Sequence, residues 1–230
     1  MSHMVGYDPE GSPRLDGVHR GGLLSHRGVP GAARGRYRGG MSGMHLEIVI
    51  GGIGGQGALT AGQLLAVAGM QQGKWVTNTP IYSPEVRGGS SNALVVMSDR
   101  PVGSMMVTQS DVGVFLAHQS VPRLLPTLKP GARVVYNSTL VPADSRRLHD
   151  VAHVAIPATD LATEVGDVRG ANMVALGALT ELEEELPLEW LVEALPDMLG
   201  PRKIRFLDVN KAALHRGAEA AREALATMPS

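Results

Sequence analysis

Residues 45–72 constrain the fold more than any other stretch. His45-Leu46-Glu47-Ile48-Val49-Ile50 runs into Gly51-Gly52-Ile53-Gly54-Gly55-Gln56-Gly57, and Ala58 to Gln72 follows. Ile48, Val49 and Ile50 form a short β-branched apolar run, the pattern of a strand buried on both faces in a parallel sheet. Gly52, Gly54 and Gly57 satisfy G-x-G-x-x-G, and Gly51 and Gly55 add two more glycines. Leu59, Leu64, Leu65, Val67, Ala68 and Met70 then supply a helical apolar face. The stretch predicts strand, glycine turn and helix. A turn without side chains at a helix N-terminus lets backbone N–H groups approach an anion.

The same alternation continues downstream. Strands are predicted at 75–79, stopped by Pro80, and at 92–98, 112–117, 133–136 and 152–156. A short helix is predicted over 120–128, with Pro122 in its first turn, where proline is tolerated. Further helices are expected from Pro157, over 172–182, over 188–199 up to Gly200-Pro201, and over 209–228, with an extended segment at 202–207. Such β-α alternation predicts a three-layer α/β/α domain with a mainly parallel, Rossmann-like sheet over 44–230. Residues 1–43 are rich in Gly, Arg, Ser and Pro and lack apolar periodicity, so they read as a disordered tail or as an over-extended translation start.

The glycine turn fits two readings. Following a strand and opening a helix, it stands in the context that dinucleotide binding requires. That reading also needs an acid at the end of the second strand to hold the ribose, and Thr77-Asn78-Thr79-Pro80 has none. No Gly-Lys-Ser/Thr follows, so it is not a Walker A loop. In the other reading the glycines only permit a tight turn and close packing. The loop Tyr82-Ser83-Pro84-Glu85-Val86-Arg87-Gly88-Gly89 lies where loops of α/β sheets meet ligands and partners. Arg87 suits a phosphate or carboxylate clamp. It equally suits a subunit interface, or a pair with Glu85 that orders the loop. Asn172 opens a helix and reads either as an N-cap or as a group facing the same cleft. Asp99 and Asp111 read as turn and connection residues, His118 as a surface or packing residue, and Asn210 as a helix N-cap. Glu181, Glu183, Glu184 and Glu185 read as a solvated face near a helix end.

Composition narrows the chemistry. The chain has no cysteine, which excludes disulfides, a thiol nucleophile and Cys-held clusters or zinc. Its eight histidines show no metal-ligand spacing on a predicted helix, and no nucleophile–base set stands out. A net charge of −1 argues against a polyanion binder, and Arg38-Gly39-Gly40 is one RGG unit only, so no nucleic-acid partner is expected. No apolar run spans a bilayer and no signal-peptide core is present, so a cytoplasmic protein without a membrane partner is expected.

Ile50 to Gly57, followed by the Ala-rich helix and then by Tyr82-x-Pro84-Glu85-x-Arg87-Gly88-Gly89, resembles the gamma subunit of 2-oxoacid:ferredoxin oxidoreductases. The likeness runs from Met44 to about Ala220. It takes in Ser98-Asp99, the Asp111 strand, Asn172 with Gly177, and Asn210 to Gly217. Ser83 departs from the glycine common at that position, and residues 1–43 match nothing in the family. The resemblance implies no catalytic residue, metal or bound cofactor on this chain alone. Thiamine diphosphate, Mg and iron–sulfur clusters would sit on alpha and beta subunits, with a delta subunit as a further partner and ferredoxin as acceptor. It also implies a share of the coenzyme A cleft, with Gly52, Gly54, Gly55, Gln56, Gly57, Arg87, Gly88, Gly89 and Asn172 as cleft residues. Tyr82, Pro84, Glu85 and Arg87 are the implied interface residues. Pyruvate or 2-oxoglutarate is the implied substrate. An autonomous NAD- or FAD-binding oxidoreductase and a non-catalytic anion-binding module are the alternatives.

Overall fold

A computed structural model describes residues 43–83, 89–103, 109–142, 148 and 151–227. The expected tail lies outside them, apart from Gly43. Six strands form one sheet: β1 (His45–Ile53), β2 (Trp75–Ser83), β3 (Ser90–Ser98), β4 (Ser110–Phe115), β5 (Leu128–Asn137) and β6 (Ala152–Ile156). Their spatial order is β2-β3-β1-β4-β5-β6. β1, β4, β5 and β6 pair in parallel, while β3 runs antiparallel to both β1 and β2. The sheet is therefore mixed yet mainly parallel, with β3 the reversed strand.

Both faces of β1 are buried, as its apolar run requires. Ile48 and Ile50 join the larger core under α1 (Ala58–Gln71), α3 (Ala158–Glu164), α4 (Ala171–Thr180), α5 (Leu188–Lys203) and α6 (Leu207–Ala226). Val49 faces the smaller core with Phe115, Val134 and Tyr136. That second face is covered by α2 (Val121–Leu124), the 3-10 turns on either side of it, and Val141 and Leu148. The two helical layers are thus very unequal. α4 and α6 cross at backbone contact, because Gly177 faces the Leu214 carbonyl and Gly217 faces the Val174 carbonyl.

Several boundaries differ from the sequence reading. β1 continues through Gly51 and Gly52, which pair with Asn92 and Ser91, so the turn proper begins at Gly54. β2 does not stop at Pro80 but runs to Ser83. β2 is an edge strand, where a residue lacking an N–H is tolerated. Lys129-Pro130-Gly131 is a bulge within β5, where the register shifts between Ser110 and Val112 of β4. Residues 202–207, expected as extended, are helical: α5 breaks at Gly200 (φ 62°, ψ 178°), and a 3-10 turn at Ile204–Phe206 leads into α6.

The acidic residues also hold surprises. Asp99 accepts the Met44 N–H at 2.6 Å and Lys74 Nζ at 2.6 Å, joining the start of β1 to the segment before β2. Hydrogen bonding from Lys74 holds its carboxyl below the usual range. Asp111 accepts the Glu47 N–H at 3.0 Å and Lys129 Nζ at 2.8 Å, bracing β1, β4 and β5. Glu183 is not on a solvated face. It is 3% exposed, and its Oε2 accepts from Arg133 Nη2 at 2.8 Å.

Candidate ligand cleft

The parallel strands β1, β4 and β5 end on one side of the sheet, and β4 lies next to β1 on the side away from β3. In open α/β sheets, ligands bind outside the carboxyl ends of the strands where strand order changes direction. The glycine turn stands there. Gln56 N–H closes it onto the Ile53 carbonyl at 3.1 Å, and Gln56 Oε1 accepts the Ile53 N–H at 2.9 Å. Gly55 (φ 90°) and Gly57 (φ 77°) hold left-handed conformations that other residues rarely adopt. Gly57 is the N-cap of α1 and supplies no side-chain cap, and the first turn of α1 carries no acid. Its N–H groups thus keep their partial positive charge for an anion.

Two distant segments fix this turn. Gly54 N–H donates to the Gly89 carbonyl at 2.9 Å, tying it to the end of the 82–89 loop. Asn172, in the first turn of α4 and buried, donates its Nδ2 to the Gly57 carbonyl at 3.1 Å. It is therefore not an N-cap; Gly170 holds that position.

Two clefts flank the turn, and Gly55 and Arg169 line both. The first, of ≈ 270 Å³, is walled by Gly57 and Thr60, the Asp167 and Arg169 segment, Asn172, Lys203 of α5, Phe206 of the following 3-10 turn and Asn210 of α6. Asn210 is inside α6 rather than its N-cap, and donates to the Phe206 carbonyl at 2.7 Å. The second cleft, of ≈ 220 Å³, lies over the ends of β4 and β5 between Gln56, Leu116, Asn137 and Thr159. Leu140 and Val168 form its exposed apolar rim. Asn137 braces it by donating to Thr159 Oγ1 at 2.8 Å and accepting the Thr159 N–H at 3.3 Å. Among the residues lining the first cleft, Arg169 and Lys203 are cationic and Asp167 is the acid. Hydrogen bonding from Arg169 holds the Asp167 carboxyl below its usual range.

Of the expected cleft residues, the structure brings together Gly54, Gly55, Gln56, Gly57, Gly89 and Asn172. Gly52 sits back within β1, against the Gln56 side chain. Tyr82 pairs with Ser91 in β2, while Pro84, Glu85, Arg87 and Gly88 lie outside the described residues. Arg169, Lys203 and Phe206 were not expected. Their sequence signals are an Asp-x-Arg just before a helix and the basic–aromatic run 202–206. No group of three His, Asp or Glu among the described residues could hold a metal ion, and no helix among them is long and apolar enough to cross a membrane.

The fold defines an α/β domain with a mixed six-stranded sheet and two clefts beside the glycine turn that follows its first strand. The chain belongs to the Pyruvate ferredoxin/flavodoxin oxidoreductase family, which matches residues 47–220. It is 35% identical over 182 residues to the 2-oxoglutarate synthase subunit KorC of Methanocaldococcus jannaschii, covering 78% of this chain and 96% of that one. Its fold is similar to the gamma subunit of a keto/oxoacid ferredoxin oxidoreductase from Geobacter sulfurreducens, with TM-score 0.67, 30% identity, and 79% and 98% of the two chains covered. It is also similar to the 2-oxoglutarate:ferredoxin oxidoreductase of Magnetococcus marinus with 2-oxoglutarate, coenzyme A and succinyl-CoA bound. There the TM-score is 0.69 at 27% identity, with 78% of this chain and 31% of that one covered. These relatives are subunits or whole chains of 2-oxoacid:ferredoxin oxidoreductases.

Proposed function

We propose that this chain is the gamma subunit of a cytoplasmic, multi-subunit 2-oxoacid:ferredoxin oxidoreductase and forms part of its coenzyme A cleft. The overall reaction takes a 2-oxoacid, CoA and two oxidised ferredoxins to acyl-CoA, CO2, a proton and two reduced ferredoxins. With no cysteine, this chain has no thiolate for an iron–sulfur cluster. The clusters, and thiamine diphosphate with its Mg, belong to alpha, beta or delta subunits.

The observation that carries the reading is the Gly54–Gly89 hydrogen bond of 2.9 Å. It joins the two glycine motifs into one wall beside a cleft lined by Arg169 and Lys203. CoA is a phosphate ester with a long, mostly uncharged arm. Two clefts that share Gly55, one carrying Arg169 and Lys203 and the other with an apolar rim, suit both ends of such a molecule. By the family resemblance, Arg87 stands as a CoA contact or an interface residue. Pyruvate and 2-oxoglutarate are the favoured substrates, selected on other chains.

Co-expression with the products of neighbouring genes tests this. A thiamine-containing complex should co-purify and form acyl-CoA; a chain that stays alone overturns the reading. Within that complex, Lys203→Gln should raise KM for CoA and leave KM for the 2-oxoacid unchanged. Arg87→Ala separates its two roles: a raised KM with intact assembly marks a ligand contact, and lost assembly marks an interface.

A further inference from the structure

Arg169 is the side chain common to both clefts, and its hydrogen-bonding fork is already engaged. Nε donates to Asp167 Oδ1 at 2.9 Å and Nη2 to Asp167 Oδ2 at 2.8 Å, a two-pronged pair. Asp167 Oδ1 also accepts the Arg169 backbone N–H at 3.0 Å, capping the 3-10 turn that leads into α4. The guanidinium lies over the Phe206 ring at 5.4 Å, and Arg205 approaches the same ring at 4.8 Å. The ring steadies the plane of the guanidinium while its edge meets the carboxylate.

A carboxylate and a phosphate present the same two-oxygen edge to such a fork. Asp167 holds the side of Arg169 that a phosphate would take, in a cleft whose other cation is Lys203. The Arg169 side chain is 72% exposed, so exchange needs no opening of the core. An exposed pair of this kind is weak enough for a doubly charged phosphate to displace.

We propose that Asp167 and Arg169 form an anion-exchange latch: the phosphate of an incoming phosphate ester replaces the Asp167 carboxylate on the Arg169 fork. The latch rests on reading the cleft as a CoA site and adds how that site discriminates. Only an anionic ligand such as a phosphate ester can compete with Asp167, so uncharged thiols and acyl chains gain no hold on this wall. Asp167 is a specificity-determining residue, and Arg169 is the contact it controls.

The probe is adenosine 3′,5′-bisphosphate, the phosphorylated nucleotide portion of CoA, titrated calorimetrically into the full chain and into the assembled complex. Asp167→Asn keeps an oxygen to cap the turn but no longer competes for the fork, and should bind the probe about 2- to 5-fold tighter. Arg169→Gln should bind about tenfold weaker. In the Arg169→Gln background, Asp167→Asn should add little, because nothing is left to exchange. An equal gain in both backgrounds would mean that Asp167 merely repels anions, and it overturns the latch. So does an Asp167→Asn variant that binds as wild type or worse. Asp167→Ser, which also retains a cap oxygen, replaces Asp167→Asn if that variant does not fold. Probe binding by the wild type without these differences defeats the latch alone; no binding by any variant, in chain or complex, defeats the CoA reading with it.

Discussion

Asn172 and Gly57 lie 115 positions apart in the chain, yet the Asn172 amide donates to the Gly57 carbonyl at 3.1 Å. A Cβ at Gly57 would stand 2.6 Å from the same amide nitrogen. The glycine is thus required twice, by its left-handed backbone and by its partner. Gly57→Ala should cost about 2 to 4 kcal/mol, from backbone strain and overpacking together. Gly55→Ala meets nothing within 4 Å and should cost only the strain, about 1 to 2 kcal/mol. Asn172→Ala should cost about 1 kcal/mol, because one hydrogen bond is lost while the Gly57 carbonyl keeps the Ala61 N–H at 2.9 Å. Urea unfolding of the three variants checks the order; equal losses for the two glycines would contradict the packing account.

The crossing of α4 and α6 makes a second demand. A Cβ on Gly177 would strike the Leu214 carbonyl, and one on Gly217 the Val174 carbonyl. Backbone cannot swing aside as a side chain tip can, so Gly177→Ala or Gly217→Ala should cost about 3 kcal/mol or more. Gly170→Ala is the control. Its Cβ would rest 3.6 Å from Ala213, an ordinary contact, and the change should stay within about 0.5 kcal/mol. Thermal melts suffice to rank them.

Glu183 predicts a pH dependence of stability. Burial pushes its carboxyl up to about 7; the Arg133 charge opposes this, and Asp111 and Glu185 add to it. The unfolded chain releases this proton near 4.5, so between about pH 4.5 and 7 the folded state binds more of it. Stability from this group is full below that window and is lost as pH rises through it, by up to about 3 kcal/mol. Glu183 Oε1 has no hydrogen-bond partner among the described residues, consistent with an acid that is costly to ionise. Glu183→Gln should flatten the profile, measured as denaturation free energy at pH 5, 6, 7 and 8. A profile identical to wild type would rule Glu183 out as its source.

The domain is proposed to begin at Met44, whose N–H is held by Asp99 at 2.6 Å. Removal of residues 1–43 should therefore shift the melting temperature by no more than a few degrees and leave co-purification with partner subunits intact. Loss of assembly would give residues 1–43 a structural role.

The elements legible in the sequence are those whose signals are local. Strand, turn and helix over 45–72 are encoded by adjacent residues, and so is the break at Gly200. Pro80 misled because proline stops an inner strand, and only the three-dimensional order makes β2 an edge. Glu183 misled because three neighbouring glutamates suggest solvent, whereas the turn after α4 folds it under Arg133. Half of the first cleft was hidden for a related reason. Arg169, Lys203 and Phe206 meet the glycine turn only through packing of α4, α5 and α6, which no short window of sequence contains.

The place of β3 has a consequence for cofactor choice. In dinucleotide-binding sheets the strand after the first helix lies directly beside the first strand, so its end can bring an acid to the ribose. Here β3 is inserted between them, and the end of β2 stands two strand spacings, roughly 10 Å, from the glycine turn. The acid missing after Thr79 is therefore not a residue lost from an otherwise ready site. An aspartate grafted there would arrive one strand too far out. Strand order therefore argues against the ribose contact of a dinucleotide site before any side chain is chosen.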